Sequence, residues 1–226
     1  MNFLLLLYQS WGKVSMVLSK IVSEKYWKAF VEKEKLSQEQ QEKFLKYLQM
    51  LQKANERFNI TRIISAHDVV AFHFQDSLVL RRFFDLSAVN GLADIGSGGG
   101  FPGIPLAIVN PKVNFFLIEV TTKKVEFLRQ VAKELLLQNI EVVQCDWRTF
   151  LRTTKHSIDI FAARASLSVK ELIRAFSPQC FYNSSTLVYW ASKNWEPERN
   201  EAPLILKQDL YMIKNKQRKL FIFKKK

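Results

Sequence analysis

The sequence is poor in the residues that form disulfides and bind metals. Its 226 residues include only two cysteines, Cys145 and Cys180, and three histidines. Two cysteines cannot build a disulfide framework or a four-ligand zinc site, and three scattered histidines do not favour a metal centre. We therefore predict a protein of the reducing cytoplasm that binds no metal.

Long apolar runs are also missing. The run from Phe3 to Tyr8 is far shorter than the roughly 20 residues that span a bilayer. No positive charge precedes it, since the first is Lys13, and no small-residue cleavage pattern follows, so we predict neither a signal peptide nor a membrane partner. Because an amphipathic pattern begins at Met16, we expect residues 1–15 to come from an early start codon or to form a loosely held arm.

Acidic residues are few beside the basic ones. The chain has 34 Lys and Arg against 21 Asp and Glu, a formal charge of +13. An excess of this size suits a polyanionic partner, with nucleic acid favoured over an anionic membrane surface. At 48% apolar residues the chain is too hydrophobic to be disordered, and its length is enough for one domain with its own core.

Glycine is absent between residues 13 and 90, and the residue pattern of this region predicts helices. Apolar residues recur there at helical spacing, and Ser37 followed by Glu39 predicts a helix start. Beyond residue 86 short apolar strands alternate with helices, which predicts an α/β fold with a mostly parallel sheet. We therefore predict an N-terminal arm and helical segment over residues 1–85, packed on a core domain over residues 86–226.

Six strands are predicted in that second part. They are Leu92–Ile95, Asn114–Glu119, Glu141–Gln144, Ile158–Ala162, Ser185–Trp190 and Leu220–Phe223. We expect the last to pair antiparallel with Asp209–Ile213.

Five of the seven glycines fall in one loop, Gly96 to Gly103, directly after the first strand. Residues without side chains let the backbone turn tightly and approach a ligand, and the next helix offers free N–H groups. The pattern differs from the dinucleotide motif, whose last glycine would fall at Phe101, and no Walker Gly-Lys-Ser/Thr follows. It favours S-adenosylmethionine, with a nicotinamide or flavin cofactor, or a tight turn without a ligand, as the alternatives.

Acidic residues follow the next two strands. Glu119 ends the second strand, where a carboxylate can accept both ribose hydroxyl protons, and Asp146-Trp147 follows the third, placed to hold an adenine amino group and ring. Arg164 comes after the fourth strand, at the edge where such sheets bind ligands. The predicted cofactor residues are thus Gly96, Ser97, Gly98, Gly100, Glu119, Asp146, Trp147 and Arg164.

These motifs carry a resemblance to a known family. The segment Asp94 to Ile108 resembles the signature of the glucose-inhibited division protein B family, the bacterial small-subunit ribosomal RNA guanine-N7 methyltransferases. Upstream, Asn59-Ile-Thr61 and His73-Phe-Gln-Asp-Ser-Leu78 are similar to family elements, and downstream so is Arg164-Ala165. The resemblance covers roughly Asn59 to Lys193.

The resemblance implies a class I, Rossmann-like S-adenosylmethionine-dependent methyltransferase with an N-terminal helical extension, acting on 16S ribosomal RNA or the small subunit. Gly96 and Phe101 would line the cofactor pocket, Trp147-Arg148 would lie on the adenine side, and Arg164 would touch the cofactor or the target base. The sequence departs from the family where Asp146-Trp147-Arg148 replaces Arg-Ala-Glu.

The residues fit methylation of guanine N7. That atom carries a lone pair and no proton, so it requires placement rather than a general base, and the sequence offers no base–nucleophile constellation. Pyrimidine C5 methylation would need a cysteine nucleophile, and Cys180 follows Pro178 at the wrong spacing. A methyltransferase of another substrate and a non-catalytic RNA- or ribosome-binding protein remain the alternatives.

Basic residues concentrate at the C-terminus. Residues 207–226 hold eight Lys and Arg and one acid, Asp209. We predict RNA contacts at Lys224, Lys225 and Lys226 and beside the active-site mouth at Lys123, and Lys193 also fits the resemblance. We expect the protein to act as a monomer.

Overall fold

The computed structural model describes residues 23–164, 168–176, 178–199 and 201–223. The arm expected over residues 1–15, and Lys224, Lys225 and Lys226, lie outside the described residues.

The N-terminal part is helical, as predicted. Helix α1 spans Glu24–Glu34 and α2 spans Gln38–Asn55. Ser37 caps α2 in a reciprocal capping box, because its hydroxyl accepts the N–H of Gln40 while the Gln40 side chain accepts the N–H of Ser37. The capping residue that the sequence indicated is confirmed.

A third helical stretch follows in four pieces. Helix α3 spans Ala66–Val69, a π-helical turn Val70–Gln75, α4 Asp76–Leu78 and a 3₁₀ turn Val79–Arg82. The widened π turn is a deviation that periodicity does not reveal, and such turns are frequent at functional sites.

A seven-stranded sheet forms the rest, in the order β3-β2-β1-β4-β5-β7-β6. The strands are β1 Gly91–Ile95, β2 Asn114–Glu119, β3 Ile140–Gln144, β4 Ile160–Arg164, β5 Thr186–Ala191, β6 Ile205–Ile213 and β7 Lys216–Phe223. Strands β1 to β5 are parallel, and β7 runs antiparallel to both β5 and β6. The predicted α/β class, mostly parallel sheet and antiparallel C-terminal pair are confirmed.

Four helices connect the parallel strands. They are α5 Gly103–Val109, α6 Thr122–Glu134, α7 Trp147–Thr153 and α8 Val169–Ala175. Helix α7 was not predicted. Asp146 caps it by accepting the N–H of Arg148 at 2.8 Å, so the Asp146-Trp147 motif also starts a helix.

Apolar side chains cover both faces of the sheet. One buried cluster joins the N-terminal helices, α5 and α6 to one face and extends in sequence from Trp27 to Ile222, and the other lies under α7 and α8. Neighbouring residues of β2 alternate between the clusters, Phe115 in the first and Phe116 in the second. The N-terminal helices thus build one layer of the core, and the boundary at residue 85 stays a prediction.

Candidate functional site

The glycine loop lies at the carboxyl edge of the sheet, between β1 and α5. Three of its residues, Gly96, Gly98 and Gly100, have φ angles of 70°, 57° and 94°. L-residues rarely adopt these values, so the backbone requires glycine there. The N–H groups of Gly96 and Ser97 both donate to the carbonyl of Ile118, at 2.9 and 3.0 Å. These two hydrogen bonds hold the loop against the end of β2.

The space around the glycines differs from one position to the next. A Cβ on Gly100 would lie 2.4 Å from the Ile104 side chain and 2.8 Å from the Tyr47 hydroxyl. A Cβ on Gly98 would approach only the Gly96 carbonyl oxygen, at 3.8 Å, and otherwise enter open space. Gly100 is therefore required by packing, whereas a side chain on Gly98 would enter open space, here named the hollow.

Glu119 closes this hollow from the end of β2. Its Oε2 accepts the N–H of Gly98 at 2.9 Å, and its Oε1 accepts the N–H groups of Val120 at 3.1 Å and Thr121 at 2.9 Å. Burial would raise the pKa of Glu119, but these hydrogen bonds and nearby Lys124 outweigh it and lower the pKa below its ordinary value. The site therefore presents a carboxylate.

Asp94, at the end of β1, is a second and fully buried acid. Its Oδ2 accepts the N–H of Gly103 at 3.0 Å, while its Oδ1 has no hydrogen-bond partner. Burial raises the pKa of Asp94 to about 7, although the Gly103 N–H and Arg164 both act to lower it. A buried carboxyl oxygen without a donor, beside a glycine hollow, suits a cationic or N–H-bearing ligand group.

The residues after β3 have a different environment. Trp147 is 5% exposed and packs in the core cluster under α7. The Arg148 guanidinium lies 4.5 Å from the centre of that ring and pairs with Asp146 at 3.4 Å and Glu171 at 2.7 Å. Asp146 follows β3 at the same sheet edge as Glu119, but the Trp147 ring serves first as a core aromatic.

Arg164 ends β4 and is held by the N-terminal helical stretch. Its Nη1 donates to the Phe72 carbonyl at 3.1 Å, and its Nη2 lies 2.7 Å from Nδ1 of His73. Arginine only donates, so Nδ1 accepts and the His73 proton is on Nε2, 2.9 Å from the Thr61 hydroxyl. Burial first, and Arg164 second, lower the pKa of His73 to about 2, so the ring stays neutral.

Asp76 joins Arg164 to the C-terminal strands. Its carboxylate is fully buried and lies 3.5 Å from Arg164 Nη1 and 2.8 Å from Arg218 Nη2. The Tyr211 hydroxyl donates to it at 2.6 Å, and the Trp190 indole donates to its backbone carbonyl at 2.9 Å. One carboxylate therefore balances two arginines, and the cluster keeps a net positive charge.

Phe101, within the glycine loop, contacts this cluster. The His73 ring stacks on it at 4.2 Å, Tyr47 stacks at 5.3 Å and the Arg164 guanidinium lies 5.2 Å from its centre. The Tyr47 hydroxyl donates to the carbonyl of Gly99, and burial raises the Tyr47 pKa well above its ordinary value. Phe101 thus packs the loop against the N-terminal helices.

The basic residues singled out by sequence lie on two sides of this edge. Lys193 is exposed after β5 and lines a cavity of about 640 Å³ with Lys216 and Arg218. Lys123, in the first turn of α6, is exposed and lies 5.0 Å from the centre of the Phe58 ring. Arg218, Tyr211 and Tyr47 are site residues that sequence reasoning missed, since each comes from an element remote from the loop in sequence.

Two absences concern the described part of the chain. No helix in it is both long and apolar enough to cross a membrane. No group of three or more His, Cys, Asp and Glu residues in it is arranged to hold a metal ion.

Sequence comparisons identify similar proteins. The family model described as rRNA small subunit methyltransferase G, GidB, matches residues 40–221. Ribosomal RNA small subunit methyltransferase G of Aster yellows witches'-broom phytoplasma is 35% identical over 81% of this chain and 86% of its own length. The protein of the same name from Onion yellows phytoplasma is 33% identical over the same shares.

Solved structures share the fold. A putative O-methyltransferase from Klebsiella pneumoniae superposes with a TM-score of 0.53 and 14% identity over 79% of this chain and 90% of its own. The N-terminal domain of human METTL16, in complex with SAH, gives a TM-score of 0.50 and 15% identity over 66% of each chain. These likenesses confirm the predicted Rossmann-like methyltransferase architecture.

Proposed function

The chain belongs to the rRNA small subunit methyltransferase G family, and from that premise we propose that it transfers a methyl group from S-adenosylmethionine to N7 of a guanine in 16S ribosomal RNA. The observation that carries the proposal is the hollow at Gly98. Open space there is bounded by a glycine backbone and by the Glu119 carboxylate, 2.9 Å from the Gly98 nitrogen.

The residues around the hollow fit this cofactor. Glu119 is charged and faces the loop, so it can accept the two ribose hydroxyls. Asp94 has a buried oxygen without a donor, for which the cofactor's ammonium group is a partner. Gly96, Ser97, Gly98 and Gly100 supply the backbone of the cradle, and Asp146 lies on the adenine side. When bound, S-adenosylmethionine supplies the sulfonium methyl.

Two buried aromatic residues, Phe101 and Trp147, have a supporting part in this proposal. Both rings are 5% exposed, so they shape the walls rather than offer a face to adenine. Arg148 is paired with Asp146 and Glu171, and its role on the adenine side is to hold Asp146 in place.

Arg164 is the residue we assign to the target base. Three partners on the N-terminal helical stretch, the Phe72 carbonyl, His73 and Asp76, orient its guanidinium. Its remaining N–H groups can donate to O6 of a guanine, the acceptor next to N7. N7 has no proton to lose, so the neutral His73, with both ring nitrogens engaged, has no base function to perform.

The RNA side of the site lies around the cavity beside Lys193. Lys193, Lys216 and Arg218 line it, and Arg218 shares the Asp76 carboxylate with Arg164. A phosphate held in this cavity would sit next to the proposed guanine site. Further phosphate contacts along the RNA strand would come from Lys123 and from the C-terminal Lys224, Lys225 and Lys226. We also propose that the enzyme acts in the cytoplasm, where its proposed substrate is, and that it acts as a monomer.

The proposal is tested by methyl transfer with a defined product. Purified protein and radiolabelled S-adenosylmethionine are incubated with protein-free 16S RNA, small subunits and whole ribosomes, and the RNA is digested to nucleosides. We expect label in 7-methylguanosine. Label in a different nucleoside would indicate another substrate on the same fold, and cofactor binding without label in any RNA would favour a non-catalytic RNA-binding protein.

A genetic comparison complements this assay. Mapping 7-methylguanine in 16S RNA from cells with and without the gene should show one position lost in the deletion strain and restored by the wild-type gene. Restoration by a Glu119→Ala variant would contradict the assignment of the cofactor site.

A further inference from the structure

A basic cleft lies between α7, α8 and the turn before β5. Its volume is about 730 Å³. Four cationic side chains and no carboxylate line it. The cations are Arg148, Arg152, Lys155 and Arg174. The cleft is distinct from the Lys193 cavity, with which it shares no lining residue.

Three of these cations lack an acidic partner. Arg148 is neutralised by Asp146 and Glu171. Arg152, Lys155 and Arg174 are exposed, and no ion pair joins any of them to another of the described residues. Like charges gathered around one cavity repel each other, and a bound polyanion relieves that repulsion.

The cations form a line that starts near the active-site edge. Arg148 and Arg152 are four residues apart on α7 and therefore share one face of the helix, and Lys155 follows its last turn. The line begins beside Asp146, which follows β3 at the edge that carries Glu119. A ligand bound along it would run from the active-site edge towards the opposite end of the sheet.

An aromatic side chain borders the same cleft. The ring of Phe181 is 56% exposed, and its edge packs on Tyr182 at 5.1 Å. A large exposed aromatic beside a row of cations is the combination that binds single-stranded nucleic acid, because the cations contact phosphates while a base stacks on the ring.

We propose that this cleft binds a single-stranded segment of 16S ribosomal RNA, with phosphates at Arg152, Lys155 and Arg174 and an unpaired base on Phe181. The inference rests on the proposed function for the identity of the RNA. It adds a second anchoring surface, so that the substrate is held on both sides of the target guanine.

A pair of double variants with equal charge tests the proposal. Arg152→Glu/Arg174→Glu removes two cleft cations, and Lys25→Glu/Lys112→Glu makes the same change in net charge at exposed positions outside the cleft. Binding of protein-free 16S RNA is measured by filter binding between 50 and 300 mM KCl. We expect the cleft variant to bind at least tenfold more weakly at 100 mM, with the slope of log K against log salt reduced by about 1.4 for two lost contacts.

The control variant should keep the wild-type slope and bind within about threefold of wild type. Equal losses in the two variants would show that net charge alone acts and would overturn the inference, as would an unchanged affinity in the cleft variant or a wild-type protein that does not bind the RNA. Urea unfolding of both variants establishes that they are folded.

A second matched pair of variants tests the aromatic contact. Phe181→Ala should weaken RNA binding about fivefold without changing the salt slope. Leu206→Ala, at a side chain 61% exposed on β6, should leave RNA binding unchanged. All these readouts are equilibrium binding. A failure of the cleft proposal therefore leaves methyl transfer by wild type intact, and a failure of the proposed activity is seen separately in the transfer assay.

Discussion

The two halves of the carboxyl edge are built by different means. Around β1 and β2, the glycine loop and Glu119 are joined by backbone groups, as in the hydrogen bonds from Gly98 to Glu119 and from Gly103 to Asp94. Around β4 and β7, side chains from remote elements meet in the buried Asp76 cluster, where Arg164 and Arg218 share one carboxylate. Under the proposed function the first is the cofactor half, which is local in sequence, and the second is the target half, which the tertiary fold assembles.

This difference makes the two halves suitable for different functions. Backbone N–H groups and glycines form a surface that changes little between sequences, which suits a constant cofactor. A network of charged side chains can orient a guanidinium precisely, but it depends on every member being paired. We therefore expect the N-terminal helical stretch to contribute to function through His73 and Asp76, which contact Arg164, as well as to the core.

The largest effect is expected at the centre of the target half. Asp76→Ala leaves Arg164 and Arg218 without their shared carboxylate and the Tyr211 hydroxyl without its acceptor. Removing one partner of a buried ion pair lowers the free energy of unfolding by about 3–5 kcal/mol. Urea unfolding followed by circular dichroism measures this loss.

Two variants control that experiment. Asp209→Ala breaks an exposed contact with Arg82 at 3.8 Å and should change stability by less than about 1 kcal/mol. Asp76→Asn retains the volume and some hydrogen bonds, and it should slow methyl transfer while leaving cofactor affinity within about threefold of wild type. A parallel loss of cofactor affinity would show that the two halves act as one unit.

The second effect is confined to the cofactor half. Gly98→Asp places a carboxylate in the hollow beside Glu119 and a Cβ at a φ of 57°. We expect S-adenosylmethionine to bind at least 100-fold more weakly by calorimetry, about 2.8 kcal/mol. Gly98→Ala, which has the same backbone strain but no charge, should lose less affinity. Equal affinities in the two variants would contradict a ligand in this hollow.

The same division explains what the sequence could predict. The loop, Glu119 and the positions of the strands along the chain follow from residues close together in sequence, because spacing there reports backbone geometry directly. Helix α7, Trp147–Thr153, escaped prediction because Asp146 was interpreted as a ligand contact and not as the N-cap that it is in the structure.

The target half was only partly predictable. Arg164 was found from its place at a strand end, and His73 and Asp76 were noted as a motif, but nothing in their spacing indicates that Arg218 and Tyr211, more than 130 residues downstream, complete the cluster. Pairing between distant side chains depends on the final packing of β6 and β7 against the N-terminal helices.

A smaller effect tests the geometry of the guanidinium. Arg164→Lys keeps a positive charge but loses the planar fork that contacts Phe72, His73 and Asp76. Single-turnover methyl transfer to 16S RNA should slow by about 30-fold, with S-adenosylmethionine affinity within about threefold of wild type. Arg82→Lys, at an exposed residue, should have no effect. A matching fall in cofactor affinity for Arg164→Lys would move Arg164 to the cofactor half.

The last effect is gradual, a pH dependence of stability at Asp94. Burial raises its pKa to about 7 in the folded protein, above the value near 3.9 expected for an unfolded chain. The folded state therefore holds the proton more tightly, so stability falls as the pH rises from about 4 to 7, by up to about 1.4 kcal/mol per pH unit, and is level above that range.

Asp94→Asn isolates this contribution, because an amide has nearly the same shape and does not titrate. Urea unfolding from pH 4.5 to 8 should show that the variant gains stability relative to wild type as the pH rises, with the two closest at the acid end. Saturating S-adenosylmethionine should reduce the difference, since a cationic group next to Asp94 favours the carboxylate. Parallel curves in the absence of ligand would show that Asp94 is ionised throughout, and the buried acid would then belong with Glu119 as a second permanent charge of the cofactor half.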